Sequence, residues 1–134
     1  MIEVVSTISM WELTKHAGSW LVNLKRAKDS RKKQSVAAIR KVITSSRKTA
    51  IYMRQLNLNG KRDIEKEGEL AMLWTELGFE LEDLGVKKLA ERCSIKGKHW
   101  ENPQESDKKY MQKADVSLER MEKIAKELLA EINS

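Results

Sequence analysis

One proline and six glycines in 134 residues leave little with which to punctuate a chain of short strands. Sandwiches and barrels turn about every ten residues, and their turns draw on those two residue types. What remains is a chain of long unbroken segments. Within them the apolar residues recur at three and four positions, the period of an amphipathic helix. Apolar residues make up 40% of the chain, enough to build one core and to argue against wholesale disorder. The expected architecture is all-α: an antiparallel helical bundle of four long helices plus one short helix, in a single domain over residues 1–134 with residues 1–8 as an N-terminal arm.

The helix boundaries follow from local chemistry. Ser9 and Glu12 form a capping box that opens a first helix, with Met10, Leu13, Ala17, Trp20, Leu21 and Leu24 as its stripe. Asp29-Ser30 marks a break. The second predicted helix runs from about Arg31 to Leu58 and carries Val36, Ile39, Ile43, Ala50, Met53 and Leu56 on one face, thinned at Ser46. Asn57-Leu58-Asn59-Gly60 ends it, because Asn and Gly tolerate the left-handed conformation that closes helices. Asp63 caps a third helix with Ile64, Leu70, Leu73, Trp74, Leu77, Leu81 and Leu84 as its stripe. Gly68 and Gly78 would let a neighbour approach it closely, and Gly85 closes it. A short fourth helix, Val86 to about Cys93, buries Val86, Leu89, Ala90 and Cys93. Ser94–Glu101 shows no clear period. Asn102-Pro103-Gln104-Glu105 then restarts a helix whose stripe is Tyr110, Met111, Ala114, Leu118, Met121, Ala125, Leu128 and Ile132.

Several classes are disfavoured. No apolar run approaches the ~20 residues that span a bilayer, so no membrane partner is expected. The first residues show no positive region followed by an apolar stretch, so no secretory signal is expected. A single cysteine, Cys93, excludes an intramolecular disulfide and suits a reducing cytoplasm.

Charge is unevenly spread. Residues 1–62 hold 14 Lys+Arg against 3 Asp+Glu, a net +11, whereas residues 63–134 hold 12 against 17, a net −5; the whole chain is +6. Lys33, Arg40, Arg47 and Arg54 stand seven apart on the second predicted helix, with Lys41 and Lys48 one position round. Cations at steps of about 10 Å can track a phosphate backbone. This row is expected beside the apolar stripe. Tyr52 is the one aromatic among these cations, so backbone contact is favoured over base stacking. The competing expectation is that the cations pair with the acidic third helix or simply solvate the surface.

Catalytic signals are sparse. Arg92 and His99, in the run RCSIKGKH, resemble the arginine–histidine signature of the HEPN ribonuclease family. The resemblance covers these two residues and the general helix count, and Gly97 departs from the helical context usual for that motif. It implies that Arg and His from two protomers meet at an interface and cleave RNA, His moving the 2′-hydroxyl proton and Arg holding the phosphate. Glu12 and His16 make half of a helical metal site with nothing evident to complete it, so no metal and no cofactor are expected. Arg92 and Lys96 would favour a Cys93 thiolate, against the commoner role of a small buried residue. Trp20 and Trp74 read as core. Trp100, beside His99, Lys98 and Lys96, reads either as a partner-binding residue or as a plug for the bundle end.

The resulting expectation is a non-catalytic cytoplasmic interaction module whose basic second helix binds a polyanion, nucleic acid first. The rivals are a protein–protein adaptor or oligomerising subunit, and the ribonuclease.

Overall fold

The structure, a computed structural model, describes Leu24, residues 27–105 and residues 117–132. The N-terminal arm, the Ser9–Glu12 capping box, the Glu12–His16 pair, Trp11, Trp20 and the Tyr110–Ala114 part of the last stripe lie outside the described residues. Those that are described form an all-α fold. Helix α1 spans Asp29–Asn59, α2 Ile64–Asp83, α3 Lys87–Glu101 and α4 Leu118–Ile132, with one turn of 3-10 helix at Pro103–Glu105. No described helix is long and apolar enough to cross a membrane.

α1 is the second predicted helix. It begins at Asp29 after Lys28, with no side-chain cap. It ends as expected at Gly60, whose φ of 66° lets its N–H reach Leu56 O at 2.8 Å. Its buried face differs from the predicted stripe. Ser35, Ala38, Ile39, Val42, Ser45, Ser46, Thr49 and Tyr52 point inward, while Ala50 and Met53 are exposed. The face is lined by hydroxyls that supply their own acceptors. Ser35, Ser46 and Thr49 donate to the carbonyls of Arg31, Val42 and Ser45, four residues back, at 2.8–2.9 Å. A buried hydroxyl satisfied this way carries little desolvation cost, so small polar residues can serve as core.

α2 keeps its predicted bounds. Asp63 accepts from Lys66 N at 3.1 Å as its cap. Gly85, at φ 86°, closes it with Gly85 N donating to Glu82 O and Val86 N to Leu81 O. Of the predicted stripe, Leu70, Trp74, Leu77, Leu81 and Leu84 are buried, but Ile64 is exposed.

α3 is where the expectation fails most. The short helix predicted to end near Cys93 runs to Glu101, and the segment read as irregular is its second half. Gly97 sits inside it. Asn102 closes α3, and Pro103–Glu105 forms a 3-10 turn; the rest of the helix expected after Asn102, up to residue 116, lies outside the described residues. The buried face of α3 reads Leu89, Ala90, Arg92, Cys93, Lys96, Gly97 and Trp100, which has a helical period written in residues that are not aliphatic.

α2 and α3 run antiparallel, with Gly78 opposite Ser94 and Gly97 opposite Thr75 and Ala71. A Cβ on Gly78 would stand 2.7 Å from Ser94 Oγ. One on Gly97 would overlap Thr75 Oγ1 and lie 3.0 Å from Ala71 O and Thr75 N. Gly78 therefore serves the close approach expected of it. Gly68 does not, since it faces open space. α1 packs against both α2 and α4. Thr49 Oγ1 accepts from buried Trp74 Nε1 at 3.0 Å across the α1–α2 boundary. α4 contributes Met121, Ile124, Ala125 and Leu128 to the core.

Candidate functional sites

The basic row stands on the outer side of α1. Lys33, Arg40, Lys41, Arg47, Lys48 and Arg54 are all exposed. The inward face of this helix is centred on Val42 and Thr49, so the row lies largely opposite the buried residues, not beside them. Two of the six cations are engaged within the fold. Lys41 Nζ meets Glu80 Oε1 of α2 at 2.9 Å, and Arg47 Nε meets Glu122 Oε1 of α4 at 2.9 Å. Both pairs are solvent-exposed and each contributes about 1 kcal/mol or less. Lys33, Arg40, Lys48 and Arg54 make no ion pair among the described residues.

The outer side of α1 is not uniformly polar. Ile51 is 69% exposed and Leu58 78%, and neither featured in the predicted apolar stripe. Their signal was present in the sequence as two aliphatics seven apart among cations, out of phase with the inner face.

A second polar cluster, which no sequence motif announced, sits where the α1–α2 turn meets α3. Glu67, placed in the sequence among the acidic residues of the first turns of α2, is buried. Arg62 Nη2 donates to its Oε1 at 2.6 Å, and Tyr52 Oη donates to its Oε2 at 2.7 Å. The Arg62 hydrogen bond is the main reason the Glu67 carboxyl titrates below its ordinary range, in spite of burial. Tyr52 Oη also accepts from Asp63 N at 3.0 Å, tying the network to the cap of α2. Burial and the Glu67 hydrogen bond raise the phenol's pKa. Tyr52 is fifteen residues from Glu67, so nothing in local spacing could have paired them.

Trp100 extends this cluster inward. It is buried, packing edge-on to Tyr52 at 5.6 Å and to His99 at 5.0 Å between ring centroids. This burial places it in the core and not on an exposed recognition patch. Its Nε1 has no hydrogen-bond partner among the described residues.

Arg92, Lys96 and His99 occupy positions i, i+4 and i+7 of α3 and so share one face of a continuous helix. Arg92 is only 6% exposed and Lys96 8%; His99 is half-buried. Arg92 Nη1 donates to Lys88 O within its own helix at 3.1 Å. Burial lowers the Lys96 pKa to about 8. The His99 pKa is lowered by burial and then by the neighbouring Lys96 charge, which favours the neutral imidazole. Cys93 is buried between these cations, yet desolvation outweighs them and pushes its thiol up to about 12. Burial therefore disfavours the thiolate at neutral pH. Among the described residues no group of three or more His, Cys, Asp and Glu side chains is arranged to hold a metal ion.

In comparisons with known proteins, no family model, curated protein or solved structure matches the chain. The likeness to the HEPN signature therefore rests on Arg92, His99 and the helical fold alone.

Proposed function

We propose that this chain is a non-catalytic cytoplasmic interaction module, an antiparallel helical bundle whose outer α1 face binds the phosphate backbone of nucleic acid. The observation that carries this reading is the set of exposed cations on one 31-residue helix, four of which make no ion pair among the described residues. Each ammonium or guanidinium that meets a phosphate releases condensed counterions, which supplies affinity without base recognition. Trp100 and Tyr52 are both buried, so stacking on unpaired bases is not part of the proposal.

The test is fluorescence anisotropy with labelled single- and double-stranded RNA and DNA at two salt concentrations. Lys33→Glu, Arg40→Glu and Arg54→Glu together should abolish binding at low salt. Three phosphate contacts predict a log–log salt slope of about −2.7 on duplex DNA. Absence of binding at low salt refutes the proposal.

The ribonuclease reading has one observation behind it: Arg92 and His99 share a face of unbroken helix despite Gly97. The burial of Arg92 and its bond to Lys88 O favour a structural role instead. If RNA is cleaved, His99→Ala must abolish cleavage while leaving the far-ultraviolet circular dichroism unchanged.

A further inference from the structure

Two outer helix faces carry the same apolar spacing with opposite charge around it. On α1, Ile51 and Leu58 are seven residues apart, about 10 Å along the axis. The surface neighbours of Ile51, three and four positions away, are Arg47, Lys48, Arg54 and Gln55, three cations and no anion. On α2, Met72 and Phe79 are also seven apart and are 57% and 60% exposed. Phe79 has Thr75, Glu76, Glu82 and Asp83 as its corresponding neighbours, and Met72 has Glu69 and Glu76. Neither set includes a cation.

Scattered single apolar residues on a surface need no explanation, but two matched pairs with complementary rims do. Within one molecule these faces cannot meet. α1 and α2 already pack through Thr49, Trp74, Tyr52 and Glu67, which turn the outer faces away from each other.

We propose that a second copy of this chain is the occupant of each face. The cationic outer face of α1 in one molecule docks on the acidic outer face of α2 in another. Ile51 and Leu58 lie against Met72 and Phe79, and the arginine and lysine rim meets the glutamate rim. Opposite potentials steer the encounter and fix the register, while the four apolar side chains leave water. Because the two patches are different surfaces, each contact leaves one patch on each molecule open. Two copies either close the contact reciprocally or add further copies. Assembly is therefore concentration-dependent and weakened by salt. This inference does not rest on nucleic-acid binding.

Sedimentation velocity of the full chain over a wide concentration range, at low and at high salt, tests it. Two double variants reverse one face each: Lys48→Glu with Arg54→Glu, and Glu69→Lys with Glu76→Lys. None of these four residues makes an ion pair among the described residues, so the fold is preserved, as circular dichroism will verify. Wild type is expected to self-associate at low salt. Each variant alone should associate at least about tenfold more weakly. An equimolar mixture should recover association, because an acidic α1 then meets a basic α2. Ile51→Ser with Phe79→Ser should also dissociate the assembly. A wild type that stays monomeric at low salt overturns the proposal, as does association indifferent to both reversals or a mixture that fails to recover. The Glu69→Lys, Glu76→Lys variant keeps every α1 cation, so its nucleic-acid affinity separates the two readings.

Discussion

The α2–α3 seam closes on bare backbone at Gly78 and Gly97, whereas the inner side of α1 meets its neighbours through serines, a threonine and a tyrosine. Both arrangements let helices come close, but by different means and with different tolerance. At Gly97 the space is already filled by Thr75 and the Ala71 carbonyl, so even one methyl group has nowhere to go. Along α1 the hydroxyls take their hydrogen bonds from within the helix, so the packing depends less on any single partner. Thr49 is the exception, since it also accepts from Trp74. The first seam is specified by shape and the second by polar satisfaction.

Substitutions can break that contrast or sharpen it. Gly97→Ala strikes the seam where backbone is the obstacle. It should cost about 3–5 kcal/mol or prevent folding altogether, as read by urea denaturation or by soluble yield. Tolerance of Ala at this position would mean that α2 and α3 are less closely apposed than described. Thr49→Val keeps the shape of the inner α1 face but strands the buried Trp74 N–H. The expected loss is about 1–3 kcal/mol. A neutral result would show that the α1 side does not rely on this bond.

Lys96→Met should stabilise the chain by about 3 kcal/mol at pH 7, because it removes an ammonium that burial disfavours. The folded-state pKa of about 8 lies below the ordinary 10.5, so the folded chain gives up this proton first. The cost of the charge is complete below pH 8 and fades as pH rises towards 10.5. The gap in thermal midpoint between wild type and variant should therefore be widest at pH 7 and narrow above pH 8. Because the Lys96 charge also lowers the Cys93 thiol, the comparison is made in a Cys93→Ala background. A gap that is constant with pH would assign the effect to packing. Smallest of all, Gly68→Ala has open space around it and should add about 0.5–1 kcal/mol through helix propensity. Destabilisation there would reveal a hidden contact on that face.

The parts of the fold that were readable in advance are those coded by neighbouring residues. Gly60, Asp63 and Gly85 mark turns and caps through their own backbone preferences, and each does so in the structure. The aliphatic stripe of α2 was equally plain, apart from Ile64. Faces built from other materials were not. The inner face of α1 is half hydroxyl, and the buried face of α3 is spelled by Cys93, Gly97, Trp100 and two cations, so a pattern of aliphatics alone reveals neither. Leu89, Cys93, Gly97 and Trp100 recur at steps of four and three, a period that extends α3 once glycine counts as a helix contact and not as a break. The candidate site divides in the same way. The exposed cations of α1 are a matter of spacing along one helix. The burial of Arg92, Lys96 and Trp100, and the Tyr52–Glu67–Arg62 network, depend on which helices meet, information that no local run contains.

The turn at Leu84–Val86 has a consequence for how the molecule resists attack. Only those three residues separate α2 from α3, and Gly85 and Val86 donate their N–H groups back to α2. A protease must draw several residues into an extended strand before it can cut, and this junction has no slack to yield without unwinding a helix. The longer Gly60–Asp63 connection, with exposed Lys61 and Arg62, offers trypsin a better site. A brief digestion would then part α1 from α2 while leaving the α2–α3 junction uncut.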